Sequence, residues 1–352
     1  MINIAVVGCG YWGPKHIRVC HELEGAKLTT VCDLDERKLK QVRAQYPDVQ
    51  TTVDFKQIVR NGTDAVVIAT PVNTHHKLAK EALLNNKHVL IEKPMTATSW
   101  EAMELIEIAE KRNLVLMAGH TYEYHPAVVH LKKIIDSGEL GDIYSIDSAR
   151  LNLGLFRPDV NVLWDLAPHD ISIMNTLMNE EPVAISAQGA NHLGPNVYDI
   201  AYLEIMFASG IIGHVHVSWL HPRKIRQLTI VGSKKMAVYD DVSETEKVLI
   251  YDKGLAIPGD GNGNNGAANK FSAWPPNYRY GDVVIPYISS AEPLKLECTH
   301  FVDCIKKGIK PRSDGWAGLK VTAILEAADK SLANGGRREK LNLSSMAVAQ
   351  PV

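Results

Sequence analysis

Residues 2 to 13 read Ile2-Asn3-Ile4-Ala5-Val6-Val7-Gly8-Cys9-Gly10-Tyr11-Trp12-Gly13. The first six, mostly apolar and partly β-branched, predict a buried strand, and the three glycines that follow let the backbone turn tightly into a helix. Asp33 stands at the end of the next apolar run, Leu28 to Cys32, 20 residues beyond Gly13. Glycines after a first strand with an acid after the second form a dinucleotide fingerprint: the helix N-terminus takes a pyrophosphate and the carboxylate accepts from a ribose 2'-hydroxyl. A 2'-phosphate would be repelled there, so NAD is preferred over NADP, although Arg37 lies close enough in sequence to blur the preference.

The rhythm continues outward from this stretch. Ala65 to Ala69, Val89 to Ile91 and Leu114 to Ala118 read as further strands, alternating with helical spacing at 15–21, 36–45, 55–60, 76–85 and 100–112. Residues 1–120 are therefore expected to form a Rossmann-type, doubly wound parallel sheet. From 121 to 345 the pattern changes to helices at 126–137 and 165–178, then longer strands from Val183 to Tyr251, then helices at 296–307 and 317–333. Short connections such as Ala208-Ser209-Gly210 predict an α+β domain with a large, open, mainly antiparallel sheet. An open sheet face needs a cover, and a second copy of the chain, as dimer or tetramer, supplies one. Residues 254–282, rich in Gly and Asn, read as a surface excursion.

Composition narrows the partners. Formal net charge is -2 and 45% of residues are hydrophobic, which favours a small-molecule ligand and gives no electrostatic reason for nucleic acid or an anionic membrane. No apolar run reaches the roughly 18 residues of a membrane span, and no basic segment precedes Ile2, so a cytoplasmic location is expected. Five cysteines without a Cys-x-x-Cys pair suggest neither a disulfide framework nor a thiolate metal site. His214 and His216 alternate along a strand with no carboxylate cluster at ligand spacing, so no metal is expected.

Three further motifs point to chemistry. Thr70, Pro71 and Asn73, with His76, follow a strand and are expected beside Gly8, Gly10, Tyr11, Trp12, Gly13 and Asp33 at the cofactor, whereas Thr74 reads as a helix cap. Glu92-Lys93-Pro94 closes the next strand at the sheet edge where ligands bind. A lysine beside a cationic nicotinamide would have its ammonium form disfavoured and could exchange a proton, with Glu92 binding ribose or steering it. Asp165 and His169, four residues apart, share one helix face, and Pro168 fits a first-turn position that would put His169 near a helix N-terminus.

Together, Gly8 to Gly13, Thr70-Pro71, Glu92-Lys93-Pro94 and Asp165 with His169 resemble the glucose-fructose oxidoreductase / inositol dehydrogenase / rhizopine catabolism (Gfo/Idh/MocA) family. The resemblance covers roughly residues 2 to 340 and implies that Lys93, Asp165 and His169 form the catalytic group, that the Lys93-Pro94 peptide is cis, and that the open sheet mediates dimers or tetramers. Asn161 to Ser172, Tyr239-Asp240-Asp241 and Glu292 to Asp303 look more like members acting on nucleotide-linked sugars, including UDP-N-acetylglucosamine 3-dehydrogenases. The expected reaction is hydride transfer from a sugar secondary alcohol to nicotinamide, with the hydroxyl proton passing to Lys93 or His169 after closure of an interdomain cleft. Tyr124 and Arg157 are expected at the sugar, the latter as a carboxylate or phosphate ligand. Alternatives are a deoxysugar-nucleotide ketoreductase, an inositol-type dehydrogenase, or a non-catalytic NAD(H)-sensing regulator.

Overall fold

In the computed structural model, residues 1–154, 156, 160–194, 197–256 and 277–343 are described. The first part runs β1 (Ile2–Val7), α1 (Gly13–Glu22), β2 (Ala26–Cys32), α2 (Glu36–Gln45), β3 (Gln50–Thr52), α3 (Phe55–Arg60), β4 (Ala65–Ile68), α4 (Val72–Leu84), β5 (His88–Glu92), α5 (Ser99–Lys111) and β6 (Leu116–Gly119). The strands are all parallel in the order β3-β2-β1-β4-β5-β6, so the order reverses between β1 and β4. That reversal is the crevice where such sheets take ligands. Side-chain caps start several helices: Asp35 accepts from the Arg37 amide, Asp54 from that of Lys56, and Thr98 with Glu101 forms a capping box. Strand β3, only three residues long and polar, has no periodic signal in the sequence.

A 3₁₀ turn at Thr121–Tyr124 leads into α6 (Pro126–Asp136), β7 (Ile143–Leu153), α7 (Val162–Leu177), β8 (Pro182–Ala190), β9 (Ile200–Phe207), β10 (Ile212–Ser218), β11 (Leu220–Gly232), β12 (Met236–Asp240), β13 (Val248–Ala256) and β14 (Asn277–Val284), then α8 (Pro293–Lys307), α9 (Gly315–Ala333) and β15 (Glu339–Lys340). Among the described residues the second sheet has the order β14-β13-β12-β11-β7-β10-β9-β8-β15. It is antiparallel except at β7 and β10, which pair in parallel. One face packs Leu203, Ile205, Val215, Val217, Leu228 and Ile230 under α6, α7 and α9. The other is open, with Tyr202 44% and Ile212 51% exposed, and there His214 and His216 stack on Tyr202, at ring distances of 6.1 and 4.2 Å.

Three sequence expectations change. The excursion expected at 254–282 is strand at both ends, since β13 and β14 pair Gly254 with Arg279 and Leu255 with Tyr278; residues 257–276 lie outside the described residues. Helix α7 begins at Val162 rather than Asp165, because the Asn161 side chain accepts from the Trp164 amide. Pro168 is consequently inside the helix and His169 lies about two turns from its start. The third change concerns α8, whose Leu294, Cys298, Phe301 and Val302 pack into the same core as Ile4, Val6, Ile17 and Cys20. The chain thus returns to its first domain after building the second.

Candidate active site

The loop after β1 is shaped by excluded volume. Gly8 has φ +97°, and a Cβ there would lie 2.5 Å from the Ala69 carbonyl oxygen; one on Gly13 would lie 2.0 Å from the Gly8 oxygen. A Cβ on Gly10 would meet nothing within 4 Å, so this glycine leaves its surface open to a ligand. Helix α1 begins there with no side-chain cap on its N-terminal amides and no acid in its first turn. These are the conditions for anion binding. Tyr11 and Trp12 flank the opening, with the Lys15 ammonium 3.9 and 4.0 Å from their ring centres.

Asp33 follows β2 and accepts from the Cys9 amide at 2.5 Å and the Asp35 amide at 2.8 Å. Arg37 does not reach toward it: its guanidinium binds Asp35 at 3.1 and 3.0 Å. Arg37 is thus turned onto another carboxylate, the Lys38 ammonium lies 3.9 Å from Asp33, and the Asp33 carboxylate can accept from a ribose hydroxyl of NAD. On the other side of the crevice Thr70 shares a 2.7 Å hydrogen bond with Thr74, while Pro71 and Asn73 are exposed at the mouth. Thr74 is not the helix cap; its hydroxyl donates to the Pro71 carbonyl at 2.7 Å from the first turn of α4.

His76 is also placed differently from expectation. Its Nε2 lies 2.6 Å from Glu104 on α5, whereas the neighbouring His75 is buried with Nε2 2.8 Å from the Thr70 carbonyl and Nδ1 3.0 Å from that of Pro94. His75 thereby ties the two crevice loops together, and burial pushes its pKa below the usual imidazole range. A neutral imidazole has one N-H, so it donates to only one of these carbonyls at a time.

Strand β5 delivers the lysine loop, and the Lys93-Pro94 peptide is cis. Glu92 is 5% exposed; its Oε1 lies 2.7 Å from His16 Nε2 and its Oε2 accepts from the Lys93 amide at 3.1 Å. Burial alone would raise this carboxyl, but the His16 hydrogen bond and the nearby Lys93 charge outweigh it and hold Glu92 low. Expected to bind a ribose or to steer the lysine, Glu92 is buried between His16 and the Lys93 amide, with the Lys93 charge nearby.

The Lys93 Nζ crosses to the second domain and donates to the Asp165 backbone carbonyl at 2.7 Å. The two halves therefore already meet at this contact. The Asp165 carboxylate accepts from the Trp219 indole at 3.0 Å. One turn along α7, His169 packs 5.0 Å from the Tyr122 ring and its Nδ1 is shielded with no hydrogen-bond partner. Its imidazole is held well below the usual range, first by burial and then by the charges of Lys93, Arg150 and Arg226. Neutral at physiological pH, it can accept a proton.

A polar wall completes the site. Tyr122 accepts from Arg150 at 3.1 Å and Arg226 at 3.0 Å and donates to Asp241 at 2.9 Å, while buried Asp170 holds Arg150 at 2.7 Å. His120, fully buried with neither ring nitrogen partnered, is pushed down to about 4 by burial. None of these was singled out as a site residue in the sequence, although Asp241 fell in a segment that resembled nucleotide-sugar enzymes. Tyr124, expected at the sugar, is buried against Arg312 and shares a hydrogen bond with Ser313 at 3.2 Å. In a 3₁₀ turn, residues two apart point to different sides, and it is Tyr122 that packs against His169. Arg157 lies outside the described residues. Among the described residues no group of three His, Cys, Asp or Glu side chains could hold a metal ion, and no helix is long and apolar enough to cross a membrane.

A Rossmann sheet with a dinucleotide cradle, joined to an open-sheet domain that presents Asp165 and His169 to its lysine, defines an NAD-binding oxidoreductase fold. Residues 2–120 match the oxidoreductase family GFO_IDH_MocA, NAD-binding Rossmann fold, and residues 128–238 match the GFO/IDH/MocA C-terminal domain. The chain belongs to the Gfo/Idh/MocA oxidoreductase family. It is 29% identical over 225 residues to inositol 2-dehydrogenase 2 of Saccharopolyspora erythraea, an alignment spanning 61% of this chain and 66% of that protein. It is 28% identical over 267 residues to UDP-N-acetylglucosamine 3-dehydrogenase of Acidithiobacillus ferrooxidans, spanning 73% and 80% of the two chains. The solved structure of that 3-dehydrogenase superposes with a TM-score of 0.76 at 24% identity, covering 95% of this chain and 98% of the other, a likeness of fold.

Proposed function

We propose that this protein oxidises a secondary alcohol of a nucleotide-linked sugar, at C3 of a substrate such as UDP-N-acetylglucosamine, with Lys93, Asp165 and His169 as the reacting group. The observation that carries this reading is the 2.7 Å contact between Lys93 Nζ and the Asp165 carbonyl, which joins the dinucleotide-binding half to the helix carrying His169. NAD, when bound over Gly10 and Asp33, supplies the hydride acceptor. The C-H bond of the substrate alcohol breaks with its electron pair, the O-H proton leaves to Lys93 or to neutral His169, and a ketone forms. Asp165, fixed by Trp219, sets the ring hydroxyls against these groups. Tyr122, Arg226 and Asp241 form the wall against which a polar substrate is oriented.

The nucleotide-sugar reading is supported by the 28% identity to UDP-N-acetylglucosamine 3-dehydrogenase over 73% of this chain. An inositol substrate is the second reading, supported by the inositol 2-dehydrogenase match. Production of NADH on mixing the protein and NAD⁺ with UDP-N-acetylglucosamine, myo-inositol or free sugars separates them: turnover of the first alone is expected, and turnover of myo-inositol alone overturns the choice. Lys93→Ala is expected to abolish turnover while keeping NAD binding by fluorescence titration. Activity retained in that variant rules out the mechanism. A cytoplasmic homo-oligomer is part of the same proposal, in keeping with five free thiols and the exposed sheet face.

A further inference from the structure

His16 is 0% exposed and sits on the first turn of α1, the helix whose N-terminus faces the dinucleotide cradle. Its Nε2 lies 2.7 Å from Glu92 Oε1, and its Nδ1 lies 3.8 Å from the Sγ of Cys298 on α8. A hydrogen bond with Cys20 and then burial hold the Cys298 thiol protonated beside Nδ1. Glu92, held as a carboxylate, only accepts, so Nε2 directs its N-H at Oε1, and the other Glu92 oxygen accepts from the Lys93 amide at 3.1 Å. A continuous run of hydrogen bonds therefore leads from α8 through α1 to the lysine loop.

We propose that His16 is a positioning residue for the redox reaction: it anchors the Glu92 carboxylate beneath Lys93 and so fixes the reacting amine relative to the cofactor-binding helix. The proposal rests on the reading of Lys93 given above. Its physical basis is that a buried carboxylate keeps its charge only with donors around it, and His16 is the side-chain donor that Glu92 has. The remaining titratable groups about the pair are Cys20 beside Cys298, Glu297 on α8, and Lys93 and His120 at the strand ends. Without the imidazole, Glu92 Oε1 loses its side-chain donor inside the core, and the loop that carries the Lys93 amine is no longer held in place.

The test compares His16→Leu, His16→Gln, Glu92→Gln and Lys93→Ala. Two readouts are used: kcat and KM with the substrate found above, and acetylation of Lys93 by acetic anhydride in NAD-free protein at fixed pH, quantified by peptide mass spectrometry. His16→Leu and Glu92→Gln are expected to lower kcat about 100-fold, as a displaced reacting group does, with KM for NAD changed far less. Both should raise Lys93 acetylation several-fold, and His16→Gln, which still offers an N-H, should recover most of kcat and of the normal acetylation. Equal damage in the leucine and glutamine variants, or unchanged Lys93 acetylation in His16→Leu, overturns the proposal. If His16→Leu does not fold, the nearly isosteric Glu92→Gln decides by acetylation alone. Turnover in Lys93→Ala condemns the reading of the site, whereas an inactive Lys93→Ala beside a normal His16→Leu condemns only this inference.

Discussion

At Trp219 a single indole N-H decides how Asp165 is held. Trp219→Phe replaces the indole, 1% exposed, with a smaller aromatic ring and removes the 3.0 Å hydrogen bond to the carboxylate. We expect kcat to fall about tenfold with a loss of roughly 1 kcal/mol in stability, read from steady-state kinetics and urea unfolding. His120 gives a pH prediction. Its pKa drops from about 6.5 to about 4 on folding, through burial, so the folded state keeps it neutral while the unfolded chain protonates it. Its stabilising effect is complete above about pH 6.5 and is lost as pH falls toward 4, a change of about 3 kcal/mol by linkage. His120→Phe should therefore resist acid better, with its stability relative to wild type rising across that window; parallel curves would show that the ring is protonated inside. These two residues also show what the sequence could carry. Lys93, Asp165 and His169 stood out because their types and spacing are chemical signals, whereas Trp219, Tyr122 and His120 gain meaning only from neighbours far along the chain.

Among the elements, α7 carries the most consequence because it bears both Asp165 and His169. Asn161 caps it by accepting from the Trp164 amide at 3.1 Å and also donates to Asp329 at 3.0 Å. Asn161→Ala should cost about 1 to 2 kcal/mol and lower kcat more than KM, since fraying of the first turn loosens Asp165 directly; an unchanged kcat would separate the cap from the site. The helix start was misjudged from sequence for a definable reason: Pro168 is as suited to a first turn as Asn161 is to a cap, and only the tertiary contact with Asp329 distinguishes them. The parallel sheet was plain from its repeating apolar runs, while β3 and β14 lack that pattern and are recruited by edge pairing with β2 and β13. Thr98 with Glu101, and Asp35 and Asp54, by contrast announce their helices locally.

For the whole molecule, the open face of the second sheet is where the proposed assembly is tested. Tyr202 and Ile212 lie on it on the adjacent strands β9 and β10, with the Glu204–His214 pair between them, and in the proposal above this face receives another copy. Ile212→Arg is expected to shift the elution volume in size-exclusion chromatography to that of a smaller species without unfolding the chain; identical elution of both proteins would assign the face another use. The alternation from β7 to β13 made this sheet legible, but no pattern in a sequence tells which face the helices will cover. Nor did it show that α8 rejoins the first core. That return path means that a fragment ending near residue 120 would be stripped of the apolar wall supplied by Leu294, Phe301 and Val302. The nucleotide-binding module is consequently not a portable cassette: it can be grafted or expressed by itself only if a substitute for its distant helix travels with it.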